Sequence, residues 1–124
     1  MKFAYRDVKY SKVVRAHDQT EASKLLKRGV LVLIIPNERA KSLKFLCPCG
    51  CGETVSVNLM AEAGRAWRVA FEPKHGLSLW PSVWLTTGCR SHFILRHNKA
   101  RLLLGKMPRR PDTEFEKWWN DEVT

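Results

Sequence analysis

A chain of 124 residues with 22 Lys and Arg against 12 Asp and Glu, a formal net charge of +10, has the length of one domain and an excess of cations suited to an acidic protein or to nucleic acid. No stretch reaches the roughly 18 apolar residues of a membrane-spanning helix, and Met1-Lys2-Phe3-Ala4-Tyr5-Arg6-Asp7 lacks the apolar core and cleavage site of a secretion signal. The expectation is a cytoplasmic protein forming a single domain over 1–124, with no membrane partner.

In chain order, Phe3 to Val14 alternates loosely and predicts one or two short strands broken near Asp7. Asp18-Gln19-Thr20-Glu21 reads as a helix start, with an oxygen side chain as cap and an acid in the first turn. The helix Thr20 to Lys27 puts Ala22, Leu25 and Leu26 on one face, and Gly29 is expected just past its end. Val30 to Ile35 is a buried strand rich in β-branched residues. Ser42 to Leu46 and Glu53 to Leu59 both alternate, which makes the thiol-rich segment between them the tip of a hairpin. Met60 to Arg65 is a short irregular or helical link. Trp67 to Phe71 is a further strand, and Leu77 to Trp84 is extended, with Pro81 confining it to an edge or a bulge. Ser91 to Arg96 and Ala100 to Leu104 form a hairpin about His97-Asn98-Lys99. A final helix over Glu114 to Asp121 carries an apolar stripe of Phe115, Trp118 and Trp119. The fold class is α+β: a mainly antiparallel β core with a zinc-ribbon-like cysteine hairpin and a helix near each end.

The hairpin tip, Cys47-Pro48-Cys49-Gly50-Cys51-Gly52, holds three thiols, and the fourth cysteine is the distant Cys89. Neighbours two residues apart rarely meet the spacing and dihedral of a disulfide. A tetrahedral zinc with bonds of about 2.3 Å uses all four sulfurs at once, so Cys47, Cys49, Cys51 and Cys89 are the expected ligands of a structural Zn2+. A variant replaces one of the hairpin thiols by His92.

A ligand at Cys89 would hold Ser91 and His92 within one or two strand steps of the metal. A hydroxyl and an imidazole fixed in place are the parts of a nucleophilic site, so Ser91 is the candidate nucleophile and His92 the candidate base. Neighbours in a regular strand point to opposite faces. The pair therefore requires a bend or bulge, or else a base drawn from His17, His75, His97 or Glu53. The other reading of Ser91 is a hydrogen bond to a zinc thiolate. Ser82, in the apolar segment Trp80-Pro81-Ser82-Val83, is a weaker rival nucleophile, expected to serve the backbone. That segment could also receive a peptide as an added strand.

The order Cys47-Pro48-Cys49-Gly50-Cys51-Gly52, Asn58-Leu59, Trp67, Leu79 with Pro81-Ser82-Val83, and Cys89 with Ser91-His92-Phe93 before an aliphatic hairpin resembles a small bacterial family that accompanies ubiquitin-like conjugation operons of the Bub type, a BubP-like peptidase. The resemblance spans roughly Val30 to Leu104. It departs from the family at Ile94, where an aromatic residue is expected. It implies a serine-type peptidase in which Ser91 and His92 match the catalytic motif and the four cysteines match a structural zinc site. Its partner would be a bacterial ubiquitin-like protein, whose C-terminal tail it trims or which it removes from conjugates. The alternative is a non-catalytic basic zinc-ribbon module that binds nucleic acid or an acidic protein, with Trp67, Trp80 or Trp84 as stacking platforms.

Overall fold

The computed structural model describes residues 4–85 and 87–104. The expected helix over Glu114 to Asp121 lies outside them. Ten strands, one helix and one 3-10 turn follow in order: β1 (Tyr5–Lys9), β2 (Lys12–Ala16), α1 (Gln19–Leu25), β3 (Val30–Ile34), β4 (Ser42–Leu46), β5 (Thr54–Asn58), the turn Ala61–Ala63, β6 (Arg68–Glu72), β7 (Gly76–Trp80), β8 (Val83–Trp84), β9 (His92–Arg96) and β10 (Lys99–Leu103). They build a sheet in the order β1-β10-β9-β8, a second in the order β2-β3-β4-β5, and the hairpin β6-β7. The architecture is α+β and mostly antiparallel, with one parallel pair.

That parallel pair is β2 with β3, which register Lys12 on Val30 through Ala16 on Ile34, and α1 supplies the crossover. Asp18 caps α1, its carboxylate accepting from Glu21 N at 2.8 Å, as the sequence predicts. The helix ends earlier than its apolar spacing suggests. Leu26 is already extended and caps it, so Gly29 serves the entry to β3 rather than the helix end. The N-terminal break also falls later than Asp7. Tyr10 N donates to Asn98 O and Ser11 N to Gly29 O, both at 2.7 Å, so the chain changes sheets between these two residues while Asp7 stays inside β1.

All five residues of β3 are buried, because both its faces are covered. Val30, Val32 and Ile34 pack with Ala16 and Ala22 under α1. Leu31 and Leu33 join Leu43, Phe45, Val55 and Val57 against Leu77, Leu79, Val83, Phe93, Leu95 and Leu102. This second cluster lies between the two four-stranded sheets, with Phe45 edge-on to Phe93 at 5.9 Å between centroids. Burial at ~1.5–3 kcal/mol for each large apolar side chain makes it the main support of the fold. The loops at one end of these layers carry the polar chemistry.

Candidate active site and metal centre

Strands β4 and β5 pair antiparallel, Leu46 on Thr54, and Cys47 N donates to Glu53 O at 2.8 Å to close the loop. Inside it Gly50 and Gly52 sit at φ +90° and +87°, a region costly for residues with a Cβ. The second loop joins β8 to β9, closed by Leu85 N donating to Ser91 O at 2.9 Å. It brings Cys89 to the hairpin tip. The four Sγ atoms of Cys47, Cys49, Cys51 and Cys89 all lie within 4.8 Å of one another. Cys47 Sγ is 3.5 Å from Cys49 Sγ and 3.6 Å from Cys89 Sγ, and none of the four is in a disulfide.

Bonds of about 2.3 Å in a tetrahedron place sulfurs about 3.8 Å apart, so this cluster is compatible with a four-thiolate metal site. The electrostatics point the same way. Burial pushes the Cys47 thiol well above the usual thiol range. Burial acts against a Cys49 thiolate too, but hydrogen bonds involving Ser91 and Cys51 overcome it and bring that thiol down to about 6. The cluster thus already favours thiolate at one sulfur, and a bound cation would favour it at the rest.

Ser91 and His92 are neighbours in sequence and are not brought together. The Ser91 hydroxyl meets Cys89 Sγ at 3.1 Å, on the side of the thiol cluster. His92 opens β9 and points to the other face of its sheet, away from the sulfurs. There its Nε2 lies 2.8 Å from the Ser82 hydroxyl, and both side chains are buried. His92 is consequently not among the clustered ligands. His75 and His97 pack against each other at 5.5 Å, on the turns beside β7 and β10. The Glu53 carboxylate lies against the Gly88 backbone, where an added Cβ would fall 2.5 Å from Oε1. It buttresses the two cysteine loops against each other.

The register explains the Ser82–His92 contact. Strand β8 pairs with β9, Val83 on Phe93 and Trp84 on His92. Continued by one residue, that register sets Ser82 opposite Ile94 and diagonal to His92 on the same face. Trp84, directly opposite, stacks on the imidazole at 5.5 Å and 21° and fixes its plane. Trp67 Nε1 donates to Ser82 O at 3.1 Å and holds the serine backbone. A hydroxyl bonded to an oriented imidazole has the geometry that a nucleophile and its base require. A serine ten residues from a histidine forms no local pattern, so the sequence alone favours Ser91 over Ser82. The signal that could have raised it was the antiparallel pairing of 82–84 with 92–94.

The tryptophans read as stacking platforms are engaged within the protein. Trp80 lies between Arg68 at 5.3 Å and Arg96 at 4.6 Å, and Arg65 covers Trp67 at 5.4 Å. Among the described residues, no helix is long and apolar enough to cross a membrane.

A family model described as "Bacterial ubiquitination-like system serine protease (BubE)" matches residues 17–103, a span that includes the four cysteines, Ser82, Ser91 and His92. No curated protein and no solved structure matches the chain.

Proposed function

The chain belongs to this family of serine proteases of bacterial ubiquitination-like systems, and on that premise we propose that its nucleophile is Ser82, activated by His92, with a structural zinc held by Cys47, Cys49, Cys51 and Cys89. The observation that carries the assignment is the 2.8 Å contact between Ser82 Oγ and His92 Nε2. On this reading Ser91, the nucleophile that its sequence position suggests, takes another role. Ser91 instead lies against the thiol cluster, its hydroxyl 3.1 Å from Cys89 Sγ. The substrate is a ubiquitin-like protein of the same system, cut at its C-terminal tail or released from conjugates.

The chemistry follows from the pair. As Ser82 Oγ attacks the scissile carbonyl carbon, His92 Nε2 takes its proton and then delivers it to the leaving amine. The resulting acyl ester on Ser82 is cleaved by a water, which passes one proton to His92 and its hydroxyl to the acyl carbon, and His92 returns that proton to Ser82 Oγ as the ester C–O bond breaks. Trp84 keeps the imidazole in plane through both halves. Zinc in a closed shell of four sulfurs supplies folding energy rather than an open coordination position. Held by Cys47, Cys49, Cys51 and Cys89, it would fix the loop that leads into β9, and so the position of His92.

A fluorophosphonate probe tests the assignment directly, since it forms a bond from the activated serine oxygen to phosphorus and expels fluoride. Mass spectrometry should find the adduct on Ser82. Ser82→Ala should abolish labelling and lower tail cleavage by about 10³-fold or more. Labelling that survives Ser82→Ala and is lost in Ser91→Ala would return the nucleophile to Ser91.

A further inference from the structure

Strands β5 and β8 are each one edge of a four-stranded sheet, and they face each other across one groove. The groove is lined by Thr54, Val55, Ser56 and Val57 of β5 and by Val83 and Trp84 of β8. Successive strand residues point to opposite faces. A groove lined by four in succession therefore runs along the hydrogen-bonding edge of the strand, not along one of its faces.

The pairing says which backbone groups look into it. In an antiparallel ladder, residues exchange both hydrogen bonds with their partner or turn both groups outward, alternately. The bonds Cys47 N to Glu53 O and Leu59 N to Lys41 O fix the odd-numbered residues of β5 as inward. The N–H and C=O groups of Thr54, Ser56 and Asn58 thus point away from β4. On β8, the bond Leu85 N to Ser91 O makes Trp84 an outward residue. Trp67 confirms both phases, since its N donates to Asn58 O at 2.9 Å and its Nε1 to Ser82 O at 3.1 Å. It spans the gap and closes the groove at the end where Ser82 lies. Among the described residues, no backbone hydrogen bond reaches the outward groups of Thr54, Ser56 and Trp84.

We propose that this groove binds the C-terminal tail of the ubiquitin-like substrate as an extended strand, bonded through its main chain to Thr54 and Ser56 on one side and to Trp84 on the other, with the scissile bond delivered to Ser82 at the Trp67 end. A strand needs a neighbour about 4.7–4.9 Å away on each edge, and two unpaired edges in one groove supply both. Main-chain bonds give affinity for any extended segment, which fits a flexible tail and excludes a folded chain segment. The proposal rests on the assignment of Ser82 and His92 as the reacting pair.

Ser56→Pro tests it. Ser56 lies opposite Lys44 in an outward pair, so proline there removes a donor to the groove and no bond to β4, at an edge where proline is tolerated. With a fluorogenic peptide that ends in the tail of a Bub-system ubiquitin-like protein, KM should rise tenfold or more. The fluorophosphonate reaction, which needs no tail, reports whether the Ser82–His92 pair is intact in the variant. A second measurement leaves the protein unaltered. Tail peptides N-methylated one position at a time should lose cleavage at a run of consecutive positions, because a strand flanked on both edges bonds successive residues to opposite sides. An unchanged KM in Ser56→Pro, or an N-methyl scan that leaves cleavage unaltered at every position, overturns strand binding. Cleavage that persists in Ser82→Ala overturns the reacting pair instead, and the two failures read out separately.

Discussion

At the scale of single residues, two serines are separated by which sulfur or nitrogen each one meets. Ser91 faces Cys89 Sγ at 3.1 Å, and its hydrogen bonding also helps lower the Cys49 thiol to about 6. A hydroxyl donating to thiolates would stabilise their charge and, with it, a metal bound there. Partners of this kind are worth about 10–100-fold in metal affinity. Ser91→Ala is therefore expected to weaken zinc binding by about that factor, measured by competition with a chromophoric chelator, while the fluorophosphonate adduct still forms on Ser82 in the zinc-loaded protein. A Ser91→Ala protein with unaltered zinc affinity would remove this role. The alternation that separates Ser91 from His92 is visible in the sequence, because adjacent strand residues cannot share a face. The partner that His92 finds on its own face is not visible there, because it depends on a register set by a two-residue strand.

At the scale of elements, β1 is held to β10 by one polar cluster as well as by its ladder. Arg101 donates from Nε at 2.8 Å and from Nη2 at 3.0 Å to the two oxygens of Asp7, and Lys99 Nζ lies 3.6 Å from the same carboxylate. The hydrogen bond from Arg101 is the leading reason that Asp7 stays below the ordinary carboxylate range. A carboxyl whose folded-state pKa is depressed stabilises the fold above its unfolded value, about 3.9. That stability is lost as pH falls through the depressed folded value. Asp7→Asn should cost about 1 kcal/mol in denaturant titrations at neutral pH, with the deficit shrinking below about pH 4. A deficit that stays constant through acid would show that the charge is not its source. The elements themselves were largely legible. The alternation of β4, β5, β9 and β10 and the cap at Asp18 gave their positions to within a residue or two. The parallel pairing of β2 with β3 was not, since alternation fixes which face a strand buries and says nothing of its neighbour. Nor was the sheet change at Tyr10 and Ser11, which is set by hydrogen bonds to Asn98 and Gly29, residues remote in the chain.

At the scale of the whole molecule, the cysteine cluster ties together what the chain separates. Cys47, Cys49 and Cys51 belong to the hairpin tip of one sheet and Cys89 to the loop that enters β9 of the other, with Cys47 and Cys89 sulfurs 3.6 Å apart across 42 residues of sequence. A zinc there would join the two layers at the end where Ser82 and His92 lie, so stability and reactivity should fail together when it is removed. Structural zinc contributes on the order of 10 kcal/mol to domains of this kind. Chelation should accordingly lower Tm by more than about 10 °C or abolish the cooperative transition, and the rate of fluorophosphonate labelling at Ser82 should fall in parallel, both recovering when zinc is restored. Cobalt provides the sharper comparison. It accepts the same four sulfurs, so a metal confined to structure should leave kcat on the tail peptide nearly unchanged after the exchange, whereas a metal that binds substrate or water would change it. A metal-free protein that stays folded and keeps labelling Ser82 would show that the reacting pair stands on the packed sheets alone, with the cysteine cluster serving some other end.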